Sequence, residues 1–357
     1  MSTKEKFDYI VEQFADLQLL RYCVAGFEHL SLRQKELVYY LSQAALEGRD
    51  ILFDQNGKYN LQIRKLLEVV YTTYSGDKND KEFQGLEVYL ERVWFSSGIY
   101  HHYACDKFVP GFSPEFLRKW IDKVDVSQLP LRAGQSVEDM CQELFPVIFD
   151  PKVMPKRVNQ ADGEDLVVTS AANYYEGVTQ QEAEQFYAQQ KSQGDLHPVM
   201  YGMNSRLVKK EGVLQEEVWK LDGMYGGAIE KIIAWLEKAE KVAENDSQRE
   251  VIRLLVDFYR TGDLKVFDAY SIAWLKDTDS KVDFVNGFIE NYGDPLGMKA
   301  SWESIVNFKD EEATRRTEII SQHAQWFEDH SPVDKSFKKE TCESFLLCGI
   351  SSRFQLL

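Results

Sequence analysis

The sequence predicts an α+β protein, mostly helical, with a small sheet or barrel. Three observations predict it. Apolar residues recur at helical spacing through most of the first 150 residues. Strand-forming runs cluster between Leu166 and Phe308, separated by helices of irregular length. Regular strand–helix alternation from the N-terminus is missing, and no Gly-x-Gly-x-x-Gly follows a strand, which argues against a doubly wound parallel sheet.

Taken in order, Phe7, Ile10, Val11, Phe14 and Leu17 predict a helix over residues 4–19, and Leu37, Tyr40, Leu41 and Ala44 predict one over 32–46 with Ser31 as its N-cap. Further helices are predicted over 61–74, 81–97, 113–123 and 137–144. Pro151, Pro155 and Gly163 then break the pattern, and Leu166-Val167-Val168-Thr169 reads as the first strand. A helix over 182–191, strands over 203–207 and 212–219, and helices over 225–243, 248–260 and 264–276 follow. Residues 312–329 read as one charged helix, and from Thr341 both periodicity and charge lapse.

A chain of 357 residues exceeds the usual single-core limit, so two lobes or a large extension are expected. With 44% hydrophobic and 28% charged residues it has the composition of a folded globular protein. A net charge of −16 leaves no broad basic face, so nucleic acid is not an expected partner. No apolar run reaches the roughly 18 residues of a membrane span, and no secretory leader is visible at Met1, so no membrane partner and a cytoplasmic address are expected. The five cysteines (Cys23, Cys105, Cys141, Cys342, Cys348) form no Cys-x-x-Cys pair and read as reduced, mostly buried thiols.

Chemistry concentrates in residues 282–308. In an extended run alternate side chains share a face, so Phe284, Phe288, Glu290 and Tyr292 are expected to point one way. After the turn signal Gly293-Asp294-Pro295-Leu296-Gly297, a second run puts Ser301 and Glu303 on one side and Trp302 and Val306 on the other. Two acids then flank one groove. A carboxylate there suits an ammonium group such as a peptide N-terminus, and Tyr292 suits a carbonyl or an oxyanion. The six histidines include no His-Glu dipeptide and no i, i+4 pair, and the adjacent His101 and His102 would point apart on a helix, so no metal site is read from this chain. Cys105 reads as a thiol beside a surface ion pair, and the acid pairs Glu216-Glu217 and Glu311-Glu312 as solvated faces.

The residues Phe288-Ile289-Glu290-Asn291-Tyr292-Gly293-Asp294-Pro295-Leu296-Gly297 and Trp302-Glu303 resemble the dipeptidyl peptidase III family of zinc metallopeptidases, nearest its bacterial members. Lys107-Phe108-Val109-Pro110, Asn204-Ser205-Arg206-Leu207 and the segment 225–239 resemble further family segments in the same order, so the likeness covers residues 4–340. The resemblance implies a two-lobed exopeptidase that removes N-terminal dipeptides from short peptides, with a small β-barrel core in the lower lobe and zinc on the upper. It also implies substrate-binding roles for Glu290 (amino group), Tyr292 (near the scissile bond), Glu303 (a further cleft acid) and Tyr103 (aromatic subsite). The family's His-Glu-x-x-Gly-His and Glu-Glu-x-Arg-Ala zinc motifs and its Gly-Ile-Asn-x-Pro-Asn strand are missing. The expectation is therefore a lower lobe over 1–308, a first upper-lobe helix over 309–340, and a non-family tail over 341–357 such as a frameshift leaves. Zinc belongs to the full-length family, with none held here, and the chain is expected to be inactive alone and to bind short peptides weakly if at all, since one wall of a cleft leaves much of the ligand wet. The alternative is a non-catalytic peptide-binding or scaffold protein, which would bury the apolar surface near Val306 and Phe308 rather than expose it.

Overall fold

The computed structural model describes residues 7–190 and 196–342, and the backbone of 350–355. The helices α1 (Leu32–Glu47), α8 (Gly226–Lys241), α9 (Asp246–Thr261) and α10 (Leu264–Lys276) pack with the hairpin β6 (Val282–Glu290) and β7 (Ser301–Lys309). Their shared core includes Leu37, Leu41, Ile232, Leu255, Phe284, Phe288, Trp302 and Val306. A second core joins α3 (Asn60–Thr73), α4 (Lys81–Phe95), α5 (Pro114–Ile121) and α6 (Val137–Phe149) through Leu66, Phe83, Leu117 and Leu144.

Local chemistry explains the helix limits. Ser31 accepts from the Gln34 amide while the Gln34 side chain accepts from the Ser31 amide, a reciprocal cap that starts α1. The short helix α2 (Arg49–Gln55), not seen in the sequence pattern, bridges the two cores. Its buried Gln55 donates to the Ala300 carbonyl at 3.1 Å and accepts from the Trp302 amide at 2.8 Å, which ties α2 to the start of β7.

Strands form three separate small sheets among the described residues, and no closed barrel is present, contrary to the barrel-like core expected. They are β1 (Ile10–Phe14) with β2 (Leu17–Leu20); β3 (Tyr175–Glu176), β4 (Ser205–Lys210) and β5 (Val213–Val218); and β6, β7 and β8 (Ile350–Gln355). With at most three strands each, none can close on itself.

Four further expectations are corrected. The helix over 4–19 is instead the β1–β2 hairpin: Ala15 takes φ 47°, a left-handed turn that a helix cannot contain, and the Ile10 and Val11 side chains stay exposed. Leu166-Val167-Val168-Thr169 is a turn, because the Asp165 carboxylate accepts from the Val167 and Val168 amides and its carbonyl from the Thr169 amide. The charged helix over 312–329 breaks at His323 into α11 (Glu311–Gln322) and α12 (Ala324–His330). Of the described cysteines only Cys141 is buried; Cys23 is exposed, and Cys348 lies outside the described residues. The remaining helix, α7 (Gln180–Gln190), matches the expected position to within two residues at its start.

Val306 and Phe308 are buried in the first core. Exposed apolar side chains lie instead on α11 and α12, at Ile319, Ile320, Trp326 and Phe327. No helix among the described residues is long and apolar enough to cross a membrane.

The α1–α2 junction yields a first prediction. A Cβ at Gly48 would lie 2.1 Å from the Trp302 ring, closer than any real contact. Gly48→Ala is expected to lower stability by about 1–3 kcal/mol, measured by urea denaturation, since neither the ring nor the junction has room to yield.

Candidate substrate-binding site

A cavity of about 480 Å³ opens between the β6–β7 hairpin and the α2 and α4 ends of the molecule. The hairpin contributes Glu290, Tyr292 and Glu303 to its lining, and other segments contribute Asn56, His102 and Arg157.

The register of the hairpin explains which side chains reach it. Phe288 pairs with Trp302, but Glu290 pairs with Ser301, so Ile289 is an extra residue, a bulge. Gly287, at φ 152°, supplies backbone freedom beside it. One slipped residue exchanges faces. Phe284, Phe288, Trp302 and Val306 therefore enter the core, whereas Glu290, Ser301 and Glu303 turn to the cavity. The expectation that Glu290 and Tyr292 share a face with the two phenylalanines is corrected by this bulge; Ser301 and Glu303 do lie on the side away from Trp302 and Val306.

The acids are unequal. Burial, and then the charge of Glu290, push the Glu303 carboxyl up to about 7, against a weak pull downward from the Ser301 hydroxyl. Burial and hydrogen bonding to Glu290 push the Tyr292 phenol up to about 12, so it stays a protonated donor at neutral pH. Tyr292 is nonetheless 67% exposed, standing at the open side.

The turn after β6 is held from inside. The Asp294 carboxylate accepts from the amides of Leu296, Met298 and Lys299 and from the Tyr175 hydroxyl at 3.0 Å. Lys299 is fully buried, and its ammonium donates to the Tyr187 hydroxyl at 2.6 Å, the Gly202 carbonyl at 3.2 Å and the Ser205 hydroxyl at 3.4 Å. Glu216, expected as part of a solvated pair, accepts from Tyr187 and Ser205 in this cluster, and its neighbour Glu217 pairs with Arg206 and Lys210. Their strand β5 lies against β4, which turns them toward partners instead of water.

Tyr103 does not line the cavity. It is 86% exposed, one ring away, against His102 at 4.5 Å between centroids. His101 and His102, which would point apart on a helix, sit in a turn and stack at 4.5 Å; the His101 Nδ1 accepts from the Tyr103 and Ala104 amides. Sequence reasoning missed Arg157, Asn56 and the cavity role of His102. Asn56 and Arg157 are 101 positions apart, and no local pattern joins them.

Among the described residues no group of three or more His, Cys, Asp or Glu is arranged to hold a metal. The described residues do not fit the zinc that the resemblance implies.

Relatives agree on a family. The chain is 24% identical over 337 residues to dipeptidyl peptidase 3 of Dictyostelium discoideum, with 88% of this chain and 47% of the relative covered. It is 23% identical to the Homo sapiens protein of the same name, with 89% and 47% covered. In three dimensions it is similar to dipeptidyl peptidase III of Caldithrix abyssi, with a TM-score of 0.59 and 18% identity over 88% of this chain and 47% of that one. The enzyme from Corallococcus sp. strain EGB gives a TM-score of 0.56 and 17% identity over 90% and 47%. The chain spans about half the length of the curated relatives it matches. A model of peptidase family M49 matches residues 158–345, more than half of the sequence, and the chain belongs to peptidase family M49.

Proposed function

We propose that this chain is the substrate-binding part of a dipeptidyl peptidase III-like metallopeptidase, built to hold the free N-terminus of a short peptide. One observation carries the reading: two carboxylates, Glu290 and Glu303, line one cavity, with a hydrogen-bond donor, Tyr292, between them in sequence. Like charges in a half-buried site are costly, and an ammonium group relieves both. Glu290 and Glu303 take the peptide's amino group. Tyr292, held as a neutral phenol, donates to a peptide carbonyl. Tyr103, outside the cavity beside His102, offers an exposed ring for a substrate side chain. Residues 1–308 are assigned to the binding lobe and 309–340 to the start of the second lobe, while the family match itself runs on to residue 345.

The chemistry itself needs an activated water. Zinc supplies that in the full-length family, and the sequence here has no His-Glu dipeptide to hold the metal and take the proton. The chain is therefore expected to release no dipeptide from a synthetic peptide with added zinc, and sustained zinc-dependent turnover by purified chain would refute this.

Binding is tested separately. By calorimetry, Ala-Ala-Ala is expected to bind at least about 10-fold more tightly than N-acetyl-Ala-Ala-Ala, since a charge-assisted hydrogen bond is worth about 1.5–3 kcal/mol. Equal affinities would remove the ammonium reading. The burial of Val306 and Phe308 supports a second reading, a non-catalytic peptide-binding or scaffold protein, for which binding without turnover is the whole activity.

A further inference from the structure

We propose that the part of the cavity lined by Arg157 is a carboxylate subsite, so that the cavity takes a ligand bearing an ammonium at one end and a carboxylate at the other. The proposal rests on the ammonium reading of Glu290 and Glu303.

Arg157 is half-buried and lines the cavity. Other arginines withdrawn from solvent have acids: Arg64 pairs with Asp50 at 2.8 Å, Arg206 with Glu217 at 2.7 Å, and Arg92 with Asp16 at 2.6 Å. Arg157 makes no ion pair among the described residues. Its fork is aimed by neutral groups alone, donating to the Asn56 side-chain oxygen at 2.8 Å, the His102 carbonyl at 3.2 Å and the Cys105 sulfur at 3.7 Å. A guanidinium has five N–H donors, and here the buried Nε is without an acceptor. An oriented, uncompensated cation facing a cavity is the arrangement that recognises a carboxylate.

Two neighbours complete the subsite. His102 lines the same cavity, and its buried Nδ1 has no partner. Its imidazole is held below the usual range by burial, then by His101 and Arg157, so it adds a neutral polar contact. Arg157 also lies close enough to Tyr292 to act on its phenol, against Glu303 and Glu290. The anionic and cationic ends of the ligand are thus accommodated within one small space. A dipeptide spans at most about 7 Å between its charged ends. The carboxylate can come from the C-terminus of a free dipeptide or from the side chain of an acidic N-terminal residue.

The test uses the full chain and four probes at pH 7 in calorimetry: Ala-Ala, Ala-Ala amide, Asp-Ala amide and N-acetyl-Ala-Ala. Tighter binding of Ala-Ala than of its amide, by about 10-fold, supports the subsite and assigns it the terminal carboxylate. Tighter binding of Asp-Ala amide than of Ala-Ala amide supports it through the side-chain source. Arg157→Gln is expected to erase whichever preference is found, and Arg157→Lys to restore part of it. Because Arg157 also holds Asn56, the comparison of ligands on the unaltered chain decides the matter even if the variants fold poorly. Equal binding of Ala-Ala, Ala-Ala amide and Asp-Ala amide overturns the subsite, and so does failure of every probe to bind. Equal binding of Ala-Ala and N-acetyl-Ala-Ala, with the carboxylate preference intact, overturns only the ammonium reading.

Discussion

Replacing Trp302 by alanine is expected to cost about 3–5 kcal/mol of folding stability, read from the shift of a urea-denaturation midpoint at constant slope. The indole is buried against the α1–α2 junction, and its N–H starts a directed chain of hydrogen bonds through the hairpin. Trp302 donates to the Tyr259 hydroxyl at 3.1 Å, Tyr259 to the Asn286 side chain at 2.6 Å, Asn286 to the Ser304 hydroxyl at 3.1 Å, and Ser304 to the Val285 carbonyl at 2.9 Å. Alanine empties the ring's volume and loosens the first link, while Trp302→Phe fills most of the space and loses only the donor, at about 1–2 kcal/mol. The Gly48→Ala penalty should largely vanish in the Trp302→Ala background, because the clash partner is gone; that non-additivity is the specific signature of the contact. A Trp302→Ala cost below about 1 kcal/mol would show that the ring does not anchor β7. The two acid-wall residues Ser301 and Glu303 flank Trp302 on the other face, so the same loss should blur the cavity.

What periodicity could reveal is visible in α1, α8 and α9, whose apolar stripes agreed, and in the Ser31 cap of α1. The hairpin itself was legible, and so was the side taken by Ser301 and Glu303. The side taken by Glu290 was not, because alternation assumes an unbroken register and Ile289 breaks it. Leu166-Val167-Val168-Thr169 shows the opposite failure: strong strand propensity lost to one carboxylate, Asp165, which capped a turn. Nothing in the local sequence marks Lys299 for burial, because its partners Tyr187, Gly202 and Ser205 lie about a hundred positions upstream. Arg157 was invisible for the same reason. Its significance lies in lacking an acid, and a missing partner leaves no mark on the local pattern.

Glu303 should make ligand binding depend on pH in a way that an ordinary surface carboxylate cannot. Its carboxyl titrates near 7 in the ligand-free fold, against about 4.3 in an unfolded chain. A peptide amine must meet the ionised form, so affinity should rise as pH increases from 5.5 to about 7.5. It should fall above about 8, where the amine itself deprotonates. Binding at pH 7 should therefore expel a proton from Glu303: about 0.5 per complex, less roughly 0.1 taken up by the amine. Calorimetry in buffers of different ionisation enthalpy measures this directly. Glu303→Gln should remove the proton release and weaken binding about 10- to 100-fold, since one of two charge-assisted contacts is lost. Stability should move oppositely. A carboxyl whose folded pKa is raised contributes stability fully below about pH 4, which is lost as pH climbs through 7. Glutamine imitates the protonated form, so Glu303→Gln should match the parent near pH 4 and exceed it at pH 8. Glu303 is only half-buried, which discounts the gain to about 1 kcal/mol. Proton release near zero, with a flat affinity from pH 5.5 to 7.5, would remove Glu303 from the site and leave Glu290 to hold the amine alone.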